Sequence, residues 1–296
     1  MSIENKNLKI GFIGAGKVGS ALGSALHDKG YRVSAVCSRT KQSASFMAAL
    51  IPGCHVFENS SQVANACDLV FVTTPDGVIL DVAETTSWTS GQMVVHTSGA
   101  DSREILEAAA SAGALTGVFH PLATISSTGN VANPFDGITV TIEAEFPLLQ
   151  TLENLSHALG AQTLRLRQED RALYHASAVF VSNYVCALAD IACGLWEEMG
   201  FDRKQAEKAL LPLLQGAVHN IKTAGLPDCL TGPISRGDTG TLVKHIDALE
   251  KLCDPLSSTY RTLGMHTVDI AMKKGSITTE QAHDITSILI KQENQK

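Results

Sequence analysis

No two of the seven cysteines stand in a C-x-x-C pair, and an odd number of widely spaced thiols supports neither a zinc site nor a disulfide framework. No metal is expected, and a reducing compartment, the cytoplasm, is the expected location. A basic excess is missing too. Asp and Glu outnumber Lys and Arg by 30 to 23, for a net charge of −7 and a pI near 5.8, so a nucleic-acid partner has no electrostatic footprint to bind. The opening MSIENKNLKIGFIG lacks the apolar core of a signal peptide, and the chain shows neither an internal repeat nor a low-complexity tract. Long uncharged runs are scarce. The one that invites a membrane test, Ala172 to Ala189, is interrupted by His175, Ser177, Ser182 and Asn183 and ended by Asp190, which favours a buried helix over a membrane span. What remains is an ordinary globular composition, 44% apolar and 18% charged over 296 residues, long enough for two domains.

The most informative stretch is GFIGAGKVGSAL, Gly11 to Leu22. It nearly spells the phosphate loop of ATP and GTP enzymes, but Val18 stands where a hydroxyl must reach magnesium, and Phe12 and Ile13 continue the apolar run of a buried strand. The dinucleotide fingerprint G-x-G-x-x-G fits without remainder: Gly14 for the tight turn, Gly16 for close approach of the diphosphate, Gly19 for packing of helix on strand. Gly14, Ala15, Gly16, Lys17, Val18 and Gly19 are therefore the expected diphosphate loop, at the mouth of a helix whose N–H groups face the anion.

Short apolar runs alternate with helical segments through the first half, with strands at Tyr31 to Cys37, His55 to Phe57, Asp68 to Thr73, Met93 to His96, Leu115 to Phe119, Ile138 to Ile142 and Thr163 to Leu166. That alternation implies a mostly parallel sheet. In such a sheet ligands bind beyond the carboxyl ends of the strands, which singles out four places. Ser38, Arg39 and Thr40 follow the second strand, where an acid would grip the ribose of NAD; a guanidinium among hydroxyls suits the 2′-phosphate of NADP instead. Thr73, Thr74, Pro75 and Asp76 should run beside the nicotinamide ribose and diphosphate, although Pro75 also suits a helix start. His96 and Ser98, in HTSGA, and His120, in VFHPL, bring two imidazoles to the nicotinamide end, a possible acid/base site near neutral pH. Histidine serves as often as a cap or core residue, so neither position is assigned on its own.

From Glu169 onward helix follows helix: Glu169 to Met199, Arg203 to Thr223, Thr239 to Leu252, Pro255 to Lys274 and Thr278 to Gln292. The expected organisation is α/β, an N-terminal Rossmann-like, mostly parallel sheet over residues 1–167 with a second, all-α domain over residues 168–296. In the first long helix His175 and Ser182 fall ~20° apart on one face and Asn183 ~80° away. Such groups need partners, either a substrate or a neighbouring helix. Arg236 in LTGPISRGDTGTLVKH could fork a carboxylate or phosphate.

Together GFIGAGKVGSAL, HTSGA, VFHPL, YHASAVFVSN and LTGPISRGDTGTLVKH, in this order, resemble the family of NADP oxidoreductases that join a Rossmann-like domain to a domain of unknown function, DUF2520. The resemblance spans nearly the whole chain. It implies a fold similar to pyrroline-carboxylate reductase, ketopantoate reductase and 6-phosphogluconate dehydrogenase, often dimeric through the helical domain; it implies no particular substrate. Hydroxyacid dehydrogenases and ketopantoate reductase of that superfamily carry a lysine on or near the first long helix of the second domain. Glu169 to Met199 has none, which counts against hydroxyacid oxidation. The expected function is NADPH-dependent reduction of a small carbonyl or imine, or the reverse, in the cleft between domains, with His120 moving the proton and His96, Ser98, His175, Asn183 and Arg236 orienting a small-molecule substrate. No nucleic acid or membrane is expected, and a homodimer is. A non-catalytic NADP-binding sensor is the alternative.

Overall fold

The computed structural model describes residues 6–125 and 133–290. Its first strand, β1 (Lys9–Ile13), is buried from Ile10 to Ile13, as a strand with both faces covered requires. The other strands are β2 (Arg32–Cys37), β3 (His55–Val56), β4 (Leu69–Val72), β5 (Met93–His96), β6 (Leu115–Leu122), β7 (Thr139–Ala144) and β8 (Gln162–Arg165). They form one eight-stranded sheet in the order β3-β2-β1-β4-β5-β6-β7-β8. Every pairing is parallel except β6 with β7.

Helices α1 (Lys17–Asp28), α2 (Lys41–Leu50), α3 (Ser60–Ala66), α4 (Asp76–Thr85), α5 (Glu107–Ser111) and α6 (Leu148–Ala158) return the chain between strands. Alternate residues of β4 divide between two apolar clusters. Leu69 and Phe71 join Phe12, Leu22, Met47, Phe119 and Leu152, whereas Val70 and Val72 join Val63, Ile79 and Leu106. A period of two inside a wholly apolar strand thus supplies both faces of the sheet. On the first face Phe12 and Phe71 stack at 5.3 Å between ring centroids and Phe71 meets Phe119 edge-on at 5.8 Å, tying three strands together.

Past β8 the chain turns helical: α7 (Arg171–Val181), α8 (Asn183–Glu198), α9 (Arg203–Ala224), α10 (Thr239–Glu250), α11 (Asp254–Lys274) and α12 (Thr279–Leu289). Packing divides the chain into two compact units, Met1–Tyr184 and Val185–Lys296. The sequence boundary at 167/168 and this division differ by α7, which holds to the sheet through a buried ion pair described below. The second unit has its own small core, with Leu242, Ile246, Val268, Ile285 and Leu289 drawn from α10, α11 and α12 and Ile234 from the short 3-10 turn before them.

Three expectations need correction. The single helix expected from Glu169 to Met199 is broken at Ser182, whose φ of −120° and ψ of −75° leave the helical region, so Asn183 starts a new helix. Its apolar run is not buried: only 6% of the most apolar window between Gln168 and Glu198 is covered, because α7 and α8 turn apolar side chains such as Leu173, Val181 and Leu188 outward, as α9 does with Leu213. β6 continues through His120 and Pro121 to Leu122, so His120 lies in a strand and not in a loop after it. The end of the last expected helix, Lys291 and Gln292, and the opening Met1 to Asn5 lie outside the described residues.

The three-ring stack predicts that Phe71→Ala, which empties a fully buried position, lowers unfolding free energy by about 3–5 kcal/mol; equilibrium urea unfolding checks this, and a loss below about 1 kcal/mol would contradict the stack's importance.

Candidate active site

The loop after β1 is shaped by what its glycines leave out. Gly14 adopts φ +106°, and its N–H donates to the Cys37 carbonyl at 2.8 Å. A Cβ on Gly14 would stand within 2.9 Å of the Thr73 and Thr74 backbone, and one on Gly19 would stand 2.5 Å from both the Gly14 oxygen and Thr73 Oγ1. Thr73, buried, donates its hydroxyl to the Gly14 oxygen at 2.6 Å and locks the turn to β4. Gly16 differs from both: among the described residues nothing stands within 4 Å of where its Cβ would be, and it heads α1 without a side-chain cap. The first-turn N–H groups of α1 have no intrahelical acceptors, and they begin at the glycine which, of the three in this loop, has open space beside it. That donor set and that clearance fit a diphosphate.

The flanking residues divide. Ser38 Oγ accepts from Ala15 N–H at 3.4 Å, Thr40 caps α2 by accepting from Ser43 N–H at 3.3 Å, and Arg39 stands exposed beside them. Thr74 Oγ1 is buried without a hydrogen-bond partner among the described residues, Pro75 stands at the N-cap position of α4 and Asp76 is its first residue. Lys17 is exposed and Val18 half-buried on α1.

Further along the same carboxyl edge, His96 ends β5 fully buried. Its Nδ1 accepts from Ser98 N–H at 3.1 Å, so Nε2 carries the proton and donates to the Ser102 carbonyl at 3.0 Å. Both nitrogens are used. Ser98 is equally engaged: its hydroxyl donates to the Asp101 carboxylate at 2.9 Å and accepts from the Ala100 and Asp101 N–H groups. The two residues hold the loop that presents Gly99. A methyl group on Gly99 would lie 2.5 Å from His175 Nδ1 and 2.8 Å from His120 Nε2, so the backbone of Gly99 sits between two imidazoles.

His120 Nδ1 and the Tyr174 hydroxyl are 2.9 Å apart, while the His120 and His175 rings meet edge-on with centroids 6.0 Å apart. Tyr174 and His175 come from α7, whose first residue, Arg171, is 1% exposed and donates from Nε to Glu143 Oε2 on β7 at 2.5 Å. Arg171 Nη1 and Nη2, and His175 Nδ1, are buried without hydrogen-bond partners among the described residues. Burial, then the charges of His175, Arg171 and His96, push His120 down to about 4. His96 is also lowered to about 4, by burial and Arg171 against the opposing pull of the Ser102 carbonyl and Asp101. Burial raises Tyr174, with Thr141 and Arg171 acting against it.

Of the residues nominated from sequence, His120, His175, His96 and Ser98 come together. Asn183 is exposed at the start of α8, and Arg236 is exposed in a short 3-10 turn of the second unit. Sequence reasoning missed Gly99, Arg171, Tyr174 and Glu143. Arg171, Tyr174 and His175 stand at i, i+3 and i+4, the spacing of one helix face, and that signal was present in DRALYH.

Residues 1–121 match the Rossmann-like domain family and residues 138–267 match DUF2520, a domain of unknown function. The chain joins a Rossmann-like domain to a DUF2520 domain. No curated protein matches it. Among solved structures, this Rossmann-like/DUF2520 chain is similar to a Bacteroides fragilis protein provisionally named an NADP oxidoreductase, at 25% identity over 90% of this chain and 100% of that one, with a TM-score of 0.74. It also resembles in fold a Plasmodium falciparum pyrroline carboxylate reductase with NADP bound, at 13% identity over 96% and 99% of the two chains and a TM-score of 0.57. A reductive aminase from Aspergillus terreus, in complex with NADPH and ethyl-5-oxohexanoate, matches at 15% identity over 95% and 92%, with a TM-score of 0.58.

The two lowered histidines set a pH dependence. The folded state holds both neutral, and the unfolded chain takes up their protons below about 6.5, so their stabilising contribution is complete above that pH and is lost as pH falls through about 4. Thermal melts between pH 7.5 and 4.5 should show a falling midpoint, with a shallower fall in His96→Gln. An equal slope in that variant would show that His96 is not one of the groups responsible.

Proposed function

We propose that this protein is an NADP(H)-dependent oxidoreductase acting on a small carbonyl or imine, with its reacting end at the Gly99–His120–Tyr174–His175 cluster. The observation that carries the reading is the contrast within the glycine loop. Gly14 and Gly19 are filled in by the fold, whereas Gly16 opens onto free space at the mouth of α1, as a bound diphosphate demands. The names of the Plasmodium and Aspergillus neighbours point the same way, since both are reported with NADP or NADPH bound and both belong to reactions at carbon–nitrogen bonds. In this reading Gly16 and the first turn of α1 hold the diphosphate, Thr74 meets the adjoining ribose, and Arg39 with Ser38 and Thr40 receives the 2′-phosphate.

NADPH, when bound, supplies the hydride; the protein's part is position and protons. Tyr174 engages Nδ1 of His120 and leaves Nε2 facing Gly99. If Tyr174 donates to Nδ1, Nε2 carries the proton and can give it to a developing alkoxide or amine while Nδ1 draws on the tyrosine hydroxyl. His96 and Ser98 act one step back, by fixing the Gly99 loop. Asn183 and Arg236 are retained as substrate-orienting residues, and the domains as 1–167 for cofactor and 168–296 for substrate and assembly, in the cytoplasm.

The exposed apolar surface belongs to assembly. Val185, Leu188 and Ala192 of α8 and Leu210, Leu211 and Leu214 of α9 line a groove of about 570 Å³, and a second copy of the chain is its proposed occupant. Polar His175, Ser182 and Asn183 interrupt the run that a lipid phase would require to be apolar throughout.

Two outcomes test the reading. Gly16→Ala should keep stability within about 1 kcal/mol yet weaken NADPH binding, followed by fluorescence, by at least about tenfold. Gly19→Ala should instead destabilise the fold by about 1–3 kcal/mol. Unchanged NADPH binding in Gly16→Ala, or preference for ATP over NADPH in the parent protein, would refute the cofactor assignment. For assembly, Leu213→Glu should convert a dimer to a monomer by light scattering, and a monomeric parent protein would end that proposal.

A further inference from the structure

A buried guanidinium ordinarily finds acceptors for its N–H groups. Arg171 finds one. Its Nε reaches Glu143, while Nη1 and Nη2, both sealed from solvent, meet no acceptor among the described residues. His175 Nδ1 is in the same condition one helical turn along, and it shares the space above Gly99 with His120 Nε2.

The carboxylates near these atoms are already engaged. Glu143 is divided between Arg171 and Arg103, whose backbone N–H also reaches Glu143 Oε1. Asp101 accepts from the Ser98 hydroxyl and two backbone groups are tied into the same turn. Glu143 thus answers Arg171 through Nε and leaves the Nη pair unmet, while Asp101 acts on His96. The effect reaches His120, which every charged neighbour acting on it lowers and no anion raises. An imidazole held near 4 is a weak partner in proton transfer at neutral pH, and an anion placed beside it shifts it back towards that range.

We infer that the site is built for a substrate that carries a carboxylate, with Arg171 as the residue that selects it and His120 and His175 facing the neighbouring carbonyl or imine. The inference rests on reading the Gly99 edge as the reacting end of the oxidoreductase. A guanidinium presents paired N–H donors in a planar fork that matches the two oxygens of a carboxylate, and Nη1 and Nη2 are the pair that Glu143 leaves over. A neutral ligand offers the Nη pair no such matched anionic oxygens. The small cross-section of Gly99 serves the same end, since any side chain there would occupy the approach between the two imidazoles.

The test uses the full chain, pyruvate as the anionic probe and its neutral amide as the matched control, titrated by calorimetry with and without saturating NADPH. Pyruvate should bind at least about tenfold more tightly than the amide, the scale of a charge-assisted paired contact. Arg171→Lys, which keeps the charge and loses the fork, should reduce that preference about tenfold with NADPH affinity unchanged. Arg171→Met combined with Glu143→Gln, which leaves no unpaired buried charge, should abolish it. Equal binding of acid and amide, no binding of pyruvate, or a preference that survives in both variants would overturn the inference. NADPH binding without a carboxylate preference counts against the role of Arg171 alone. A carboxylate preference without NADPH binding counts against the cofactor reading alone.

Discussion

The ion pair between Arg171 and Glu143 decides where the helical half of the chain begins. Glu143 lies on β7, whose antiparallel register with β6 sets His120 opposite Thr141. Arg171 opens α7 and is pinned to that strand from inside, at 1% exposure. Once this residue is fixed, the helical period has no freedom left: Tyr174 and His175, one turn on, fall against His120 and Gly99. Removing either partner alone would strand a buried charge at a cost of about 3–5 kcal/mol, and would release the helix that completes the imidazole cluster. The same pair explains why α7 groups with the sheet and not with the helices that follow it.

The two ends of the carboxyl edge are made by opposite means. At the glycine loop, function comes from missing side chains, because two glycines let backbone press on backbone while the third leaves a void at a helix mouth. At the Gly99 loop, side chains crowd in from β5, β6, β7 and α7, and one glycine keeps them from closing the space entirely. A dinucleotide laid along this edge would have its anionic centre over unpartnered N–H groups and its other end among imidazoles and a phenol. The polarity of the edge, donors at one end and proton-transfer groups at the other, follows from the strand order that sets β4 between β1 and β5.

How much of this was legible in sequence varies with the range of the interaction. The glycine fingerprint and the strands read clearly because each is a local pattern: Ile10, Phe12 and Ile13 alternate into the two clusters, and Gly14, Gly16 and Gly19 act within one turn of chain. His120 and His96 were found because strand ends are known in advance to face ligands. The pairing of Arg171 with Glu143 was invisible, since they lie 28 residues apart and a charged residue at a helix start normally signals only solvent. The break at Ser182 escaped notice for a related reason. Serine in an apolar run is compatible with a continuous helix; the departure lies in its φ of −120° and ψ of −75°, where its hydroxyl meets that of Thr124 at 3.1 Å.

His96 and His120 illustrate why a shifted proton affinity is a weaker guide to reactivity than hydrogen-bond accounting. They stand on neighbouring strands, are both lowered to about 4, and feel burial as the main cause. By that measure they are equivalent. His96, however, spends one nitrogen on Ser98 and the other on Ser102, so its tautomer is fixed and no lone pair or proton remains for a ligand. His120 spends only Nδ1, on a tyrosine hydroxyl that can itself donate or accept, and keeps Nε2 towards Gly99. The chemistry available at this edge therefore belongs to the imidazole with an uncommitted nitrogen, and the other imidazole serves it by holding the loop against which that nitrogen points.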